Sequence, residues 1–140
     1  MTVTRERGNR TFYWPAQQVV EKAGKKRRGA KAKYGLRFVL KDQAQRQPPL
    51  ETLQQPYTSS SGHHYTLDLQ RWNDLLERGT RTYQMYNHPF DLVRIRLLKP
   101  GSGEPLFKND LWVKVHGQRR RELSTLDIQQ IYYQRCKSSV

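Results

Sequence analysis

Cysteine is almost missing from this 140-residue chain, in which Cys136 is the single example. One cysteine excludes an internal disulfide framework and a cysteine-based zinc cluster. The chain has no apolar run of about 18 residues, the length that a membrane helix needs. No apolar signal core follows residues 1–7 either. The sequence therefore predicts neither a membrane span nor secretion, and we expect a cytoplasmic protein.

Motifs of cofactor and nucleophile chemistry are missing as well. The phosphate-binding pattern G-x-x-x-x-G-K-[ST] does not occur, and no G-x-S-x-G turn surrounds the serines at 59–61. The histidines have no spacing that would assemble a zinc site; they are His63, His64, His88 and His116. We therefore expect no catalytic residue, no metal site and no cofactor in this chain.

Acidic residues are scarce relative to basic ones. The chain has 12 Asp and Glu against 26 Lys and Arg, so its formal net charge is +14. Such an excess predicts strong attraction to polyanions, of which nucleic acid is the commonest. An anionic membrane surface is the rival partner, but no basic amphipathic helix is visible that would lie on one. The charge therefore favours nucleic acid as the partner.

The densest positive charge lies in the basic segment, a glycine-interrupted loop over residues 21–35. Counterion release favours the binding of such a stretch to phosphates, whatever the base sequence. A purely solvated loop is the alternative. The candidate DNA contacts in this segment are Lys25, Lys26, Arg27, Arg28, Lys31 and Lys33.

The remaining pattern predicts an α+β chain. Residues 1–20 suit a strand and a turn, 38–40 a short strand, 41–62 a polar loop, and 65–78 a strand that ends near Trp72. Apolar residues alternate over 93–97 and 111–115, which indicates two half-buried strands that pair as a hairpin. Ser124 as N-cap and Asp127 in the first turn predict a C-terminal helix over about 124–137.

Arginines form a second basic group around these strands. Arg94 and Arg96 occupy the open face of the 93–97 strand, and three more follow the 111–115 strand, namely Arg119, Arg120 and Arg121. A guanidinium group can hold a phosphate through two parallel hydrogen bonds. All five are therefore candidate DNA contacts, and cross-strand charge pairs on a solvated sheet face are the alternative.

The C-terminal helix carries the most specific arrangement. The stretch Glu122-Leu-Ser-Thr-Leu-Asp-Ile-Gln-Gln-Ile-Tyr-Tyr-Gln-Arg resembles the C-terminal part of DDE transposases of bacterial insertion sequences. In that family a strand precedes a helix with the motif Y-x-x-R-x-x-x-E-x-x-x-x-x-x-K. The stretches Arg7-Gly-Asn-Arg-Thr-Phe-Tyr-Trp and Lys33-Tyr-Gly are similar to the region after the family's second catalytic aspartate. The resemblance covers most of the chain but only a middle-to-late slice of the family.

The resemblance implies a single partial domain over 1–140, part of an RNase H-like catalytic domain with a β-rich insertion over about 1–118. Tyr132 and Arg135 match the positions with which the family holds DNA phosphates near the cut site. Ser139 stands where the motif glutamate is expected, and the family's two aspartates would lie upstream of Met1. Intact members need Mg²⁺, which carboxylates hold, so we expect this fragment to bind DNA without cutting it.

The same reasoning leaves the aspartates of this chain as surface or capping residues; they are Asp42, Asp68, Asp74, Asp91, Asp110 and Asp127. The codons of Cys136-Lys-Ser-Ser can be written so that a shift by one base encodes Gln-Ile-Glu, so a frameshift after Arg135 is our hypothesis for the missing glutamate. Two other functions stay open: a non-enzymatic nucleic-acid-binding module, and a small nuclease that uses some of these aspartates. Self-association is also left open.

Overall fold

The computed structural model describes residues 2–16, 34–42, 47–79 and 88–138, and the side chains as far as residue 135. Strands dominate the described residues, and a single long helix closes the chain. The elements are β1 (Thr2–Glu6), β2 (Thr11–Pro15), β3 (Tyr34–Val39), β4 (Glu51–Thr58), β5 (His64–Leu75), β6 (Phe90–Leu98), β7 (Leu111–His116) and α1 (Thr125–Ser138). The chain therefore has the predicted α+β class.

Five of the strands form one antiparallel sheet in the order β1-β7-β6-β5-β4. Apolar side chains at alternate positions of β5, β6 and β7 point to the same face, which α1 covers through Ile128. The buried residues of this first core are Val3, Leu67, Leu69, Val93, Ile95, Val113, Val115 and Ile128. The helix face of the sheet is thus an aliphatic core.

The opposite face of the sheet is covered in part by the β2–β3 hairpin. Backbone hydrogen bonds in both directions between Tyr13 and Leu76, at 2.8 and 2.7 Å, attach the hairpin to the sheet. Aromatic rings fill this second core in edge-to-face contacts, such as Phe12 with Phe90 at 4.8 Å between ring centroids. Its buried residues are Phe12, Phe38, Leu40, Trp72, Leu75, Phe90, Leu92 and Trp112.

The predicted pairing of the two alternating strands is confirmed. β6 and β7 are antiparallel neighbours, with Val93 opposite Val113 and Arg94 opposite Trp112. The start of the helix is also as predicted. Ser124 Oγ accepts a hydrogen bond from the Asp127 amide at 3.0 Å, and the Asp127 carboxylate accepts one from the Ser124 amide at 3.1 Å. This reciprocal capping satisfies two backbone donors that would otherwise lack partners.

The prediction of a polar loop over 41–62 is wrong for residues 51–58, which form β4 at the edge of the sheet. Pro56 indicated a loop, but an edge strand tolerates proline because one side of its backbone pairs with no other strand. The predicted strand near Trp72 continues to Leu75 through a bulge. Asp74 adopts a positive φ of 62° in this bulge, and its amide donates a hydrogen bond to Asp91 at 3.2 Å.

Candidate nucleic-acid interface

Most of the basic segment lies outside the described residues. The candidates there are Lys25, Lys26, Arg27, Arg28, Lys31 and Lys33, and Ser139 likewise lies outside. The structure does describe the two positions between which the segment runs. Pro15 at the end of β2 pairs with Tyr34 at the start of β3. The segment therefore connects two adjacent strands at one end of the β2–β3 hairpin.

Arg94 and Arg96 lie on the sheet face opposite α1, as the alternation predicts, and each has a carboxylate partner. The guanidinium of Arg94 donates to Asp110 at 2.7 Å and lies over the Trp112 ring, 5.6 Å from its centroid. Arg96 donates twice to Asp68, at 3.0 and 2.7 Å. These cross-strand pairs match the alternative of internal charge pairing; contact of the same guanidinium groups with phosphate stays a prediction.

The three consecutive arginines after β7 have different surroundings. Arg119 is exposed and forms an ion pair with Glu122 at 2.7 Å. Arg121 is also exposed and contacts the carboxylate of Asp74. Arg120 is largely buried, and its guanidinium donates to Asp91 at 3.0 Å, to Asp74 at 2.6 Å and to the Gly117 carbonyl at 2.9 Å. Arg120 therefore belongs to the interior of the fold rather than to an open phosphate-binding surface.

A buried ion-pair network, made of Arg71, Asp74, Asp91 and Arg120, connects the sheet with the segment before α1. Asp91 is fully buried and accepts from Arg71 at 2.7 Å and from Arg120. Arg71 also donates to the carbonyl of Leu123 at 2.7 Å, one residue before the helix cap. Burial alone would lower the pKa of Arg120, but the hydrogen bonds that it donates to Asp74 and Asp91 raise the pKa above its ordinary value.

Sequence reasoning missed this network and misplaced two aspartates. The prediction that the aspartates are surface or capping residues is wrong for Asp68 and Asp91, which are 2 % and 0 % exposed. The strand alternation could have predicted the burial of Asp91, because this residue lies two positions before Val93 and four before Ile95 and therefore points to the same inward face. Asp127 is a capping residue, as predicted. Within the described ranges, no group of three or more His, Cys, Asp or Glu residues could hold a metal ion.

Tyr132 and Arg135 lie on α1, three residues apart and thus on neighbouring positions of the helix surface. Tyr132 is partly buried against the aliphatic core. Arg135 is exposed, and its Nη1 donates to the carbonyl of Val3 on β1 at 2.5 Å. This contact places the Arg135 guanidinium beside the β1 edge of the sheet. The helix therefore presents the predicted pair on the face opposite Arg94 and Arg96.

Other cations have no internal partner that the structure describes. Among residues 2–16, 34–42, 47–79 and 88–135, no ion pair with a carboxylate involves Arg7, Lys41 or Lys108. The same holds for Arg37 and Lys99. All five are exposed. The sequence could not predict that these cations form no such ion pair, because pairing depends on which carboxylates the fold brings near each of them.

The helix of the described chain is neither long nor apolar enough to cross a bilayer. One small aliphatic and polar recess, lined by Leu97, Phe107 and Tyr133, lies where the β6–β7 connection meets α1.

His116 contacts the Phe90 ring, with centroids 5.4 Å apart. Burial lowers the pKa of His116, and the nearby Lys114 ammonium lowers it further.

The strand order and the two covered sheet faces define a small α+β architecture. No family model, no curated protein and no solved structure matched the chain. The α+β class is therefore what the fold establishes, and the resemblance to an RNase H-like transposase remains a prediction from the sequence.

Proposed function

We propose that this chain is a DNA-binding part of a DDE-type transposase, in which a β-rich insertion precedes a motif helix of an RNase H-like domain. The single observation that carries the proposal is the uneven use of charge. Seven acidic residues of the described chain form ion pairs with its own Lys or Arg side chains; they are Glu6, Asp68, Asp74, Glu77, Asp91, Asp110 and Glu122. The basic segment has the densest positive charge of the sequence, since it holds seven Lys and Arg against Glu21.

Uncompensated cations are what a phosphate backbone binds. Each phosphate that a Lys or Arg neutralises releases condensed counterions, which lowers the free energy of binding and makes it depend on salt. The Tyr132–Arg135 pair supports the transposase assignment, because it matches the family motif and lies on a helix. A mere solubility role would need no such pair.

The carboxylates that the structure describes do not fit a magnesium centre. Hard divalent cations prefer clustered carboxylates. In this chain Ser139 occupies the motif position of the glutamate, and Asp68, Asp74, Asp91 and Asp110 neutralise arginines instead. Removing one of these carboxylates for metal binding would leave a guanidinium group without its counter-charge. We therefore assign DNA binding to the chain and no cleavage step.

The proposal is tested by a salt titration of DNA affinity with the purified full chain. Fluorescence anisotropy of a labelled duplex should give a steep linear fall of log K with log salt, with a slope of about −0.9 for each phosphate neutralised. Two duplexes of unrelated sequence should give similar affinities, since phosphate contacts carry no base information. Affinity that is independent of salt would contradict the proposal.

Two rival functions give different outcomes in parallel assays. A small nuclease would nick supercoiled plasmid in the presence of Mg²⁺ and lose this activity with EDTA, whereas we expect no nicking in either condition. A ribosome-associated basic protein would bind structured RNA well above DNA of equal length, whereas the transposase assignment predicts that duplex DNA binds at least as well. Genomic sequence that lacks terminal inverted repeats near the gene would argue against the transposase assignment specifically.

A further inference from the structure

An open cleft lies at the end of the β2–β3 hairpin opposite to the Pro15–Tyr34 end. Its walls are the turn after β1, the residues that follow β3, and the segment before β7, and its volume is about 780 Å³. Sites for small ligands and cofactors typically have volumes of about 300–1,000 Å³, so the cleft is large enough to admit a short stretch of nucleic-acid backbone. The lining residues that matter here are Arg7, Asn9, Lys41, Lys108, Asn109 and Trp112.

The lining carries a net positive charge. Arg7, Lys41 and Lys108 are exposed and take part in no ion pair with any carboxylate in the part of the chain that the structure describes. The cleft also contains Glu6 and Asp110, but both are engaged elsewhere. Glu6 contacts the Lys114 ammonium at 2.6 Å, and Asp110 contacts the Arg94 guanidinium at 2.5 Å.

The walls of the cleft are held by backbone hydrogen bonds rather than by the cations themselves. The turn after β1 is closed by the Arg10 amide, which donates to the Arg7 carbonyl at 3.2 Å. The Leu40 amide donates in turn to the Arg10 carbonyl at 3.2 Å, which joins this turn to the end of β3. The backbone thus places Arg7 and Lys41 in the lining of one cleft, and a bound polyanion would neutralise them at little ordering cost.

The side chains of the cleft indicate which part of a nucleic acid it fits. Asn9 and Asn109 add neutral hydrogen-bond donors to the cations of the cleft, a combination that suits phosphate oxygens. Trp112 is only 2 % exposed, and its ring packs against Trp72 with centroids 5.7 Å apart. A buried indole offers no open face on which a base can stack. The cleft therefore suits the sugar-phosphate backbone.

From these observations we propose that the cleft binds the phosphodiester backbone of DNA, with Arg7, Lys41 and Lys108 neutralising consecutive phosphates. This inference rests on the proposed function and deepens it, because it adds a second contact region to the basic segment. β2 separates the two regions, and a strand of five residues spans about 17 Å at its usual rise. A bound DNA would thus be held at both ends of the hairpin.

The test compares two triple variants that remove the same charge. The cleft variant carries Arg7→Gln, Lys41→Gln and Lys108→Gln, and the control variant carries Arg37→Gln, Arg78→Gln and Lys99→Gln, three exposed cations outside the cleft. We expect the cleft variant to lose roughly 30-fold or more in duplex affinity and to reduce the salt slope by about 2–3. The control should lose roughly threefold and keep its slope to within about 0.5.

A second measurement uses the unaltered protein, so it does not depend on how the variants fold. Lysine acetylation with a water-soluble reagent, read by mass spectrometry, should be slowed by bound duplex at Lys41 and Lys108 but not at Lys99. Inorganic phosphate, added at the phosphate concentration of the duplex, should protect neither lysine. Equal protection by inorganic phosphate would reassign the cleft to a free anion and overturn the proposal.

The failures of the two proposals are distinguishable. If the wild-type chain binds duplex with a steep salt slope while the cleft and control variants behave alike, the cleft proposal fails and the proposed function stands. If the wild-type chain does not bind DNA at all, both fail. Thermal unfolding of both variants within a few degrees of wild type excludes a folding defect as the cause, and the acetylation pattern decides the matter if one variant is unstable.

Discussion

Asp91 is the residue on which the buried charges of the molecule converge. Its carboxylate is fully buried and serves two arginines and one backbone amide. Arg71 and Arg120, in turn, bind carbonyl groups in the segment that leads into α1. The network therefore aligns the helix on the sheet. This role explains why two of the candidate DNA-binding arginines of the sequence, Arg120 and Arg121, contact aspartates of the same chain.

Replacing Asp91 with asparagine is expected to destabilise the fold strongly. The amide is neutral, so Arg71 loses its counter-charge in a largely buried site and Arg120 keeps only that of Asp74. Breaking a buried pair from one side costs about 3–5 kcal/mol, and we expect a loss of that size in the free energy of unfolding by urea. Glu122→Gln is the control, since it removes an exposed pair with Arg119 worth about 0–1 kcal/mol. Equal losses for both variants would refute the role assigned to Asp91.

His116 makes stability depend on pH in a defined direction. Burial and Lys114 lower its pKa in the folded state, so the unfolded chain takes up a proton at a pH at which the folded chain does not. The unfolded state binds more protons between the lowered folded pKa and the ordinary value of 6.5, and stability therefore falls as pH decreases below 6.5. Above that value both states hold a neutral imidazole, and this contribution to the pH dependence vanishes.

The measurement is the urea midpoint at two pH values, for instance about 7.5 and 5.5, in wild type and in His116→Gln. The stability difference between the two proteins should shift in favour of the variant at the lower pH. His64→Gln, at an exposed position of β5, controls for the general effect of losing an imidazole. A wild-type protein and His116→Gln variant with parallel pH profiles would rule the proposed cause out.

At the scale of elements, the sequence predicted those strands and that helix whose side-chain periodicity is complete. β6 and β7 alternate cleanly, and α1 has its cap in the first position, so their existence and pairing follow from local pattern. β4 was missed because only two of its three partly buried residues, Leu53 and Tyr57, are apolar, while Gln55 is polar. Pro56 within the strand also indicated a loop. An edge strand buries too little apolar surface to produce a strong pattern.

The candidate site was less predictable than the elements, for a physical reason. A sequence identifies cations but not their distances from carboxylates, which depend on strand register. Asp68 meets Arg96 only because β5 and β6 pair in one register, which places them directly opposite each other. Lys41 and Lys108 lie outside the paired strands, and neither forms an ion pair with a carboxylate of the described residues. Periodicity therefore predicts which face a charge occupies, while register determines whether it is neutralised.

The cap of α1 gives a prediction at this scale. Ser124→Ala removes the hydroxyl that accepts a hydrogen bond from the Asp127 amide. The loss of such a cap lowers the free energy of unfolding by about 1 kcal/mol. Because α1 carries Tyr132 and Arg135, fraying of its first turn should weaken helix docking without touching the phosphate-binding side chains. We expect a lower urea midpoint with an unchanged DNA salt slope. Ser124→Asp, which retains an acceptor, should restore the midpoint; a failure to do so would exclude capping as the cause.

At the scale of the whole molecule, the proposed function assigns DNA binding to charge that the sequence concentrates in the basic segment. The core residues that the structure describes lie in residues 2–16, 34–42, 47–79 and 88–135. The ion pairs of the described chain lie on the sheet and its connections. The proposal therefore predicts that removing charge from the basic segment changes DNA binding more than folding, which is testable with one composite variant.

The composite variant replaces six cations of the basic segment with glutamine: Lys25, Lys26, Arg27, Arg28, Lys31 and Lys33. Surface substitutions away from packed groups usually change stability by no more than about 0.5 kcal/mol, so the urea midpoint should stay near wild type. DNA affinity near physiological salt should fall by roughly 100-fold or more, with a salt slope reduced in proportion to the phosphates released.

The paired double variant Arg94→Gln with Arg96→Gln should behave in the opposite way. It leaves Asp68 and Asp110 without their partners and should lower stability more than affinity. If only the double variant lost DNA affinity, the interface would have to be assigned to the sheet face instead of the basic segment. DNA would then bind arginines that already form ion pairs within the fold.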